Sequence, residues 1–225
     1  MGRVWHAAGG GFNPDGPSAW PMRRWRMTIA CLHSAASNIP LFEPAAARHG
    51  LTLRHAVRAD LLAEAEAAGG ATPAILAETR AELARLAPGA RALLLTCSTL
   101  GPAVDDPLPL PAWRADAALA RQAMARPGRL LVLCAVDTTL EPTRALFAAH
   151  APAGKEWELR LVPGAWARFR AGDTEGYAAA IRAAARGAGT VALAQASMAV
   201  ANAGGDLLTV PDAAMAAAAQ GMPPA

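Results

Sequence analysis

The 225-residue chain is 53% hydrophobic, enough to bury one large α/β core or two small ones, which excludes a disordered polypeptide. Its charge of +3 arises at the N-terminus: of 21 basic and 18 acidic residues, residues 1–26 hold four arginines and one aspartate, which leaves 17 of each in the body. No basic stripe of the kind that grips nucleic acid is visible, and no apolar run reaches the roughly 20 residues that span a bilayer.

Residues 1–26, rich in Gly, Pro, Trp and Arg without any period, read as an irregular tail, with Met27 opening the folded region. Met22-Arg-Arg-Trp-Arg-Met27 followed by Thr28-Ile-Ala-Cys31 imitates a secretory leader, but its apolar core ends at His33, so a first strand is the better reading. Further strands are expected at Leu51–Ala56, Ala90–Thr96, Leu108–Trp113, Leu130–Ala135, Trp157–Val162, Thr190–Ala194 and Leu207–Val210, after the first at Thr28–Leu32. Between them lie amphipathic stretches. The clearest is Pro73–Leu86, where Ile75, Leu76, Leu83 and Leu86 recur at helical spacing and Gly89 follows as a stop.

This alternation predicts an α/β fold of mainly parallel sheets. The strands ending at Thr96 and Ala194 are each followed by small hydroxyl residues and a turn, which divides the chain into two pseudo-symmetric Rossmann-like halves. We read residues 27–124 plus 207–225 as the first half and 125–206 as the second, with a ligand cleft between them.

Three cysteines, Cys31, Cys97 and Cys134, form no C-x-x-C pair, and no His/Cys cluster stands at metal-ligand spacing. A reduced cytoplasmic setting is expected, without disulfide, metal or cofactor. Cys31 and Cys134 lie inside apolar runs and read as core. Cys97 differs, because Leu93-Leu-Leu-Thr-Cys-Ser-Thr-Leu-Gly-Pro102 delivers it to the carboxyl end of a strand. A helix starting near Ser98 would offer N–H groups to a carboxylate and favour the Cys97 thiolate; a buried, inert thiol fits the same spacing. Thr138-Thr-Leu-Glu141 has the form of a capping box, Ser197 reads as a helix cap or a ligand contact, and Arg114 with Asp116 reads as a surface or interdomain pair.

Thr96-Cys97-Ser98-Thr99 with its Gly-Pro resembles the first catalytic-cysteine motif of the cofactor-independent aspartate/glutamate racemase superfamily, which includes hydantoin racemases. Leu32-His-Ser-Ala-Ala-Ser-Asn38 resembles the first strand-to-helix loop of that family, and Val136-Asp-Thr-Thr-Leu-Glu-Pro-Thr143 the loop opening its second half. Val191-Ala-Leu-Ala-Gln-Ala-Ser197 resembles its second catalytic strand. The four segments fall in order across the chain from Met27 onward.

The resemblance implies proton transfer at the α-carbon of a small carboxylate or amino acid by Cys97, with Ser34, Asn38, Ser98, Thr99, Thr138, Thr139, Gln195 and Ser197 lining the site. It also allows a homodimer, as relatives often form. Two departures stand out: Gln195-Ala196 replaces the second Cys-Thr pair, and Ala135 stands where threonine is frequent. By position His33 is the candidate partner for Cys97, or else a structural residue. A single thiol also suits a decarboxylase or isomerase of this fold, or a carboxylate-binding protein without catalysis.

Overall fold

The computed structural model describes residues 28–221, so the reading of 1–26 as a tail falls outside the described residues. Eight strands form two four-stranded parallel sheets. The first contains β1 (Thr28–His33), β2 (Thr52–Val57), β3 (Ala92–Leu95) and β4 (Ala112–Arg114) in the order β2-β1-β3-β4. The second repeats this as β6-β5-β7-β8, from β5 (Leu130–Cys134), β6 (Trp157–Leu161), β7 (Thr190–Leu193) and β8 (Leu208–Thr209).

The central strands are apolar throughout because helices cover both their faces. Side chains alternate across a strand, so Ile29 and Cys31 of β1 turn to one face and Ala30 and Leu32 to the other. The first pair meets α1 (Ile39–Arg48) through Phe42, Ala45 and Ala46; the second meets Leu61 of α2 (Ala59–Ala67) and Leu83 of α3 (Pro73–Leu86). Each of these large side chains, fully buried, contributes roughly 1.5–3 kcal/mol.

A central core joins the two sheets, since Ile29 and Leu94 share one cluster with Val132 and Cys134 through Leu119 of α4 (Ala115–Met124) and Met215 of α8 (Val210–Ala219). Phe147 of α5 (Leu140–His150) belongs to the same cluster. On the outer face of the second sheet, Ala165 of α6 (Ala165–Arg170) and Tyr177 and Ile181 of α7 (Thr174–Ala185) close a separate core. Among the described residues no helix is long and apolar enough to cross a membrane.

All eight expected strands form, with two adjustments. The fourth shrinks to Ala112–Arg114, because Pro107, Pro109 and Pro111 supply no N–H for a ladder. Pro111 still offers its carbonyl to Leu93 N–H at 2.9 Å. The assignment of 207–225 to the first half is corrected for its strand: β8 pairs with β7, with Leu193 opposite Thr209, and completes the second sheet. Only α8 reaches back, lying on α1 and α4, because its buried Ala213, Ala214 and Met215 face the joint core.

Candidate functional site

The two sheets end in matching ways. Leu32 pairs with Leu95 in the first, and Thr96 N–H then donates to Leu32 O at 3.0 Å. Leu133 pairs with Leu193 in the second, and Ala194 N–H donates to Leu133 O at 2.9 Å. The next residue in each half is Cys97 or Gln195. These two therefore occupy equivalent positions, as Asn38 and Thr139 do at the ends of equivalent one-turn 3-10 helices.

A cleft with about 450 Å³ of empty space, partly open to solvent, lies where these ends converge. Ser34, Asn38, Cys97, Ser98 and Thr99 line it from the first lobe, and Thr139, Gln195 and Ser197 from the second. Its other wall is apolar, built by Leu62, Val136, Trp166 and Phe169. The last two rings stack at 4.8 Å with planes 11° apart. Sequence reading missed this wall, since Ala165-Trp-Ala-Arg-Phe169 looks like an ordinary amphipathic turn. Among the described residues the lining includes no Lys, Arg, His, Asp or Glu, so a bound carboxylate would be held by hydroxyl, amide and backbone N–H groups.

Burial pushes the Cys97 thiol above its ordinary pKa, against the opposing pull of the Ser34 side chain and the backbone N–H groups of Leu100 and Thr99. The Asp116 carboxylate adds to the rise. The thiolate expected from a helix start near Ser98 is thereby corrected: the chain forms only a 3-10 turn at Gly101–Val104, too short for a strong dipole. Burial therefore weighs against the charged form of Cys97 in the cleft.

Gln195 is fixed at both ends of its amide. Its Oε1 accepts from Ala135 N–H at 2.7 Å and its Nε2 donates to Thr139 Oγ1 at 2.8 Å, while the Thr139 hydroxyl donates to Val136 O at 2.6 Å. The capping box is corrected accordingly, because Thr139 is the N-cap of α5 and makes no side-chain cap bond. Thr138 does not line the cleft. Ser197 meets the Tyr177 hydroxyl at 3.0 Å, and burial raises that phenol to about 12. Ser98 Oγ donates across the lobes to Ala194 O at 3.4 Å. Asn38 Oδ1 is buried without a hydrogen-bond partner.

Beneath the Cys97 loop lies the ion pair read from sequence as a surface or interdomain pair, and the structure buries it. Arg114 Nε and Nη2 meet the two Asp116 oxygens at 2.7 and 2.8 Å, with side chains only 12% and 6% exposed. Arg114 Nη2 also donates to Ser98 O at 3.4 Å. A Cβ on Gly101 would overlap the guanidinium, so the glycine gives this pair its room.

His33 as partner of Cys97 is a further correction. It is 1% exposed and absent from the cleft lining. Strand alternation explains why: His33 follows Ile29 and Cys31 on the inner face of the first sheet, whereas Cys97 packs with Leu93 and Leu95 on the outer face. Its ring contacts Thr96 Oγ1 at 2.9 Å and His55 Nδ1 at 2.8 Å. Cys31, His33 and His55 thus form the cluster that linear spacing hid.

This pair of parallel-sheet lobes meeting at a polar, cysteine-bearing cleft is a fold shared with solved aspartate, glutamate and allantoin racemases. The aspartate racemase of Picrophilus torridus superposes with a TM-score of 0.67 at 10% identity, over 85% of this chain and 92% of that one. The glutamate racemase of Thermus thermophilus, in complex with β-chloro-D-alanine, gives 0.59 at 14% identity over 88% and 80%. The allantoin racemase of Pseudomonas fluorescens gives 0.57 at 13% identity over 88% and 94%. No protein-family model and no curated protein sequence matches the chain.

Proposed function

We propose that the chain is a cofactor-independent enzyme of the racemase type that transfers a proton to one face of the α-carbon of a small carboxylic acid, with Cys97 as the acid. The observation that carries this reading is the inequality of the two equivalent positions: a thiol stands at 97 and a pinned amide at 195. A carboxamide neither takes nor gives a proton at useful cost, so inversion by two opposed bases is unsupported and single-face protonation is favoured.

A neutral thiol suits the second half of a decarboxylation. In a malonate-type acid the bond from the α-carbon to one carboxyl breaks, carbon dioxide leaves, and the electron pair stays as an enediolate. Cys97 then gives its proton to that carbon, and water restores the thiol. The hydroxyl of Thr99 and the amide N–H of Asn38 would hold the retained carboxylate, while Trp166 and Phe169 favour an apolar α-substituent and keep water from the carbanion. Such positioned acid catalysis is worth about 10²–10⁴ in rate.

Incubation of the purified chain with α-alkyl and α-aryl malonates, and with the matching amino acids, in deuterated water tests the proposal. Carbon dioxide release with deuterium placed at one face of the product, lost in Cys97→Ala, is the expected result. Indistinguishable spectra from the two proteins would remove Cys97 from the chemistry and leave a carboxylate-binding role.

A further inference from the structure

The inner face of the first sheet carries a second constellation, which touches the cleft lining through Thr96. Cys31 and His33 stand two residues apart on β1, and His55 lies directly opposite Cys31 on the neighbouring edge strand β2. Strand geometry alone therefore sets all three side chains on one face. Their ligand atoms, Cys31 Sγ and one ring nitrogen from each histidine, all lie within 4.8 Å of one another. Cys31 and His33 are fully buried, while the His55 side chain keeps 13% exposure.

The outer nitrogens of both rings are already engaged. His55 Nε2 donates to Glu43 Oε1 at 2.9 Å, which leaves Nδ1 as a lone pair. With the Thr96 hydroxyl hydrogen on Leu32 O, 3.1 Å away, its oxygen would accept from His33 Nδ1 at 2.9 Å and leave Nε2 as a lone pair. These two lone pairs face each other at 2.8 Å. Two neutral rings so placed repel unless a cation lies between them, and a histidine whose other N–H is fixed by a carboxylate or hydroxyl is the usual outer shell of a metal ligand. Turning the Thr96 hydroxyl towards His33 instead gives a relay of neutral rings that needs no cation. The two states differ by one metal ion, which makes them separable.

We propose that Cys31, His33 and His55 bind a zinc ion at a structural site clipping the edge strand β2 to β1 and α1. One thiolate and two imidazoles are a borderline-soft donor set suited to zinc. In a tetrahedron the two nitrogens, each about 2.0–2.1 Å from the ion, stand about 3.3 Å apart, so the rings separate by only about half an ångström. On binding, the sulfur releases its proton to solvent and both rings coordinate as neutral imidazoles. The fourth position is left for water, while Glu43 stays on His55 Nε2 as the outer-shell acceptor. The assignment does not depend on the activity proposed for Cys97, which lies on the other sheet face.

The test uses the full chain, stripped with chelator and reloaded with zinc or cobalt(II). Elemental analysis should give one zinc per chain, and zinc at a free concentration a hundredfold above Kd should raise Tm by about 5–10 °C, reversed by EDTA. Cobalt should produce a thiolate-to-metal charge-transfer band that persists in Cys97→Ala and Cys134→Ala and vanishes in Cys31→Ser. His55→Gln, on the edge strand, should lower zinc affinity at least tenfold with an unchanged far-ultraviolet circular dichroism spectrum. Substoichiometric zinc with no cobalt band, or a band surviving Cys31→Ser, overturns the site in favour of the neutral relay.

Discussion

Gly101→Ala is the sharpest test of how the cleft floor is built. Gly101 has an ordinary negative φ, so alanine suits the backbone and in open space would stabilise by about 0.4–1 kcal/mol through the unfolded chain. Here the new Cβ would lie 2.7 Å from Arg114 Nε and closer still to the rest of the guanidinium. Arg114 cannot swing away freely, because two bonds of 2.7 and 2.8 Å hold it to Asp116. Displacing it strands a buried carboxylate, and breaking a buried pair costs about 3–5 kcal/mol. Allowing partial accommodation, we expect a loss of about 3 kcal/mol, which corresponds to a fall in Tm of about 6–12 °C for a domain of this size. Calorimetry or thermal circular dichroism on Gly101→Ala, Arg114→Met and the double variant measures this as a cycle. In the Arg114→Met background the alanine should be neutral or slightly stabilising. A Gly101→Ala protein as stable as wild type, or the same penalty in both backgrounds, refutes the steric argument.

Three other outcomes follow from the site. Gln195→Cys restores a thiol at the position equivalent to Cys97, and amino or α-substituted acids should then exchange their α-proton from both faces, seen as racemisation by chiral chromatography; Gln195→Ala should not give it, and should cost about 1–3 kcal/mol by orphaning Ala135 N–H. Trp166→Ala opens the apolar wall, so KM for α-aryl acids should rise about tenfold or more while small α-alkyl acids change little, measured by steady-state kinetics. Because burial holds Cys97 above its ordinary value of 9.0, an acid role keeps kcat/KM level through neutral pH and loses it only on the alkaline side; a rate that climbs with pH from 6 to 9 would instead mark Cys97 as a thiolate base.

Much of this was legible in one dimension. Short apolar runs separated by amphipathic stretches marked the strands, most clearly β3 and β5, since a parallel strand buried on both faces is apolar along its length. Cys97 was legible at a strand carboxyl end, where α/β sheets open towards ligands, and Ser34 and Asn38 as cleft residues through the resemblance of their loop to the racemase family. His33 was misread because its place at a strand end says nothing of which face it takes. The Arg114–Asp116 pair stayed open between a surface and an interdomain place because burial of a charge is decided by what packs over it.

The chain's order of apolar and polar residues thus determined the two lobes and the mouth between them, and the resemblance of two segments set Cys97 and Gln195 at matching positions. Only the folded arrangement decided the desolvation of the Cys97 thiol, the aromatic wall of the cleft, and the meeting of Cys31 and His33 with His55. Those properties depend on desolvation and on neighbours brought from distant stretches of sequence, which local periodicity does not encode.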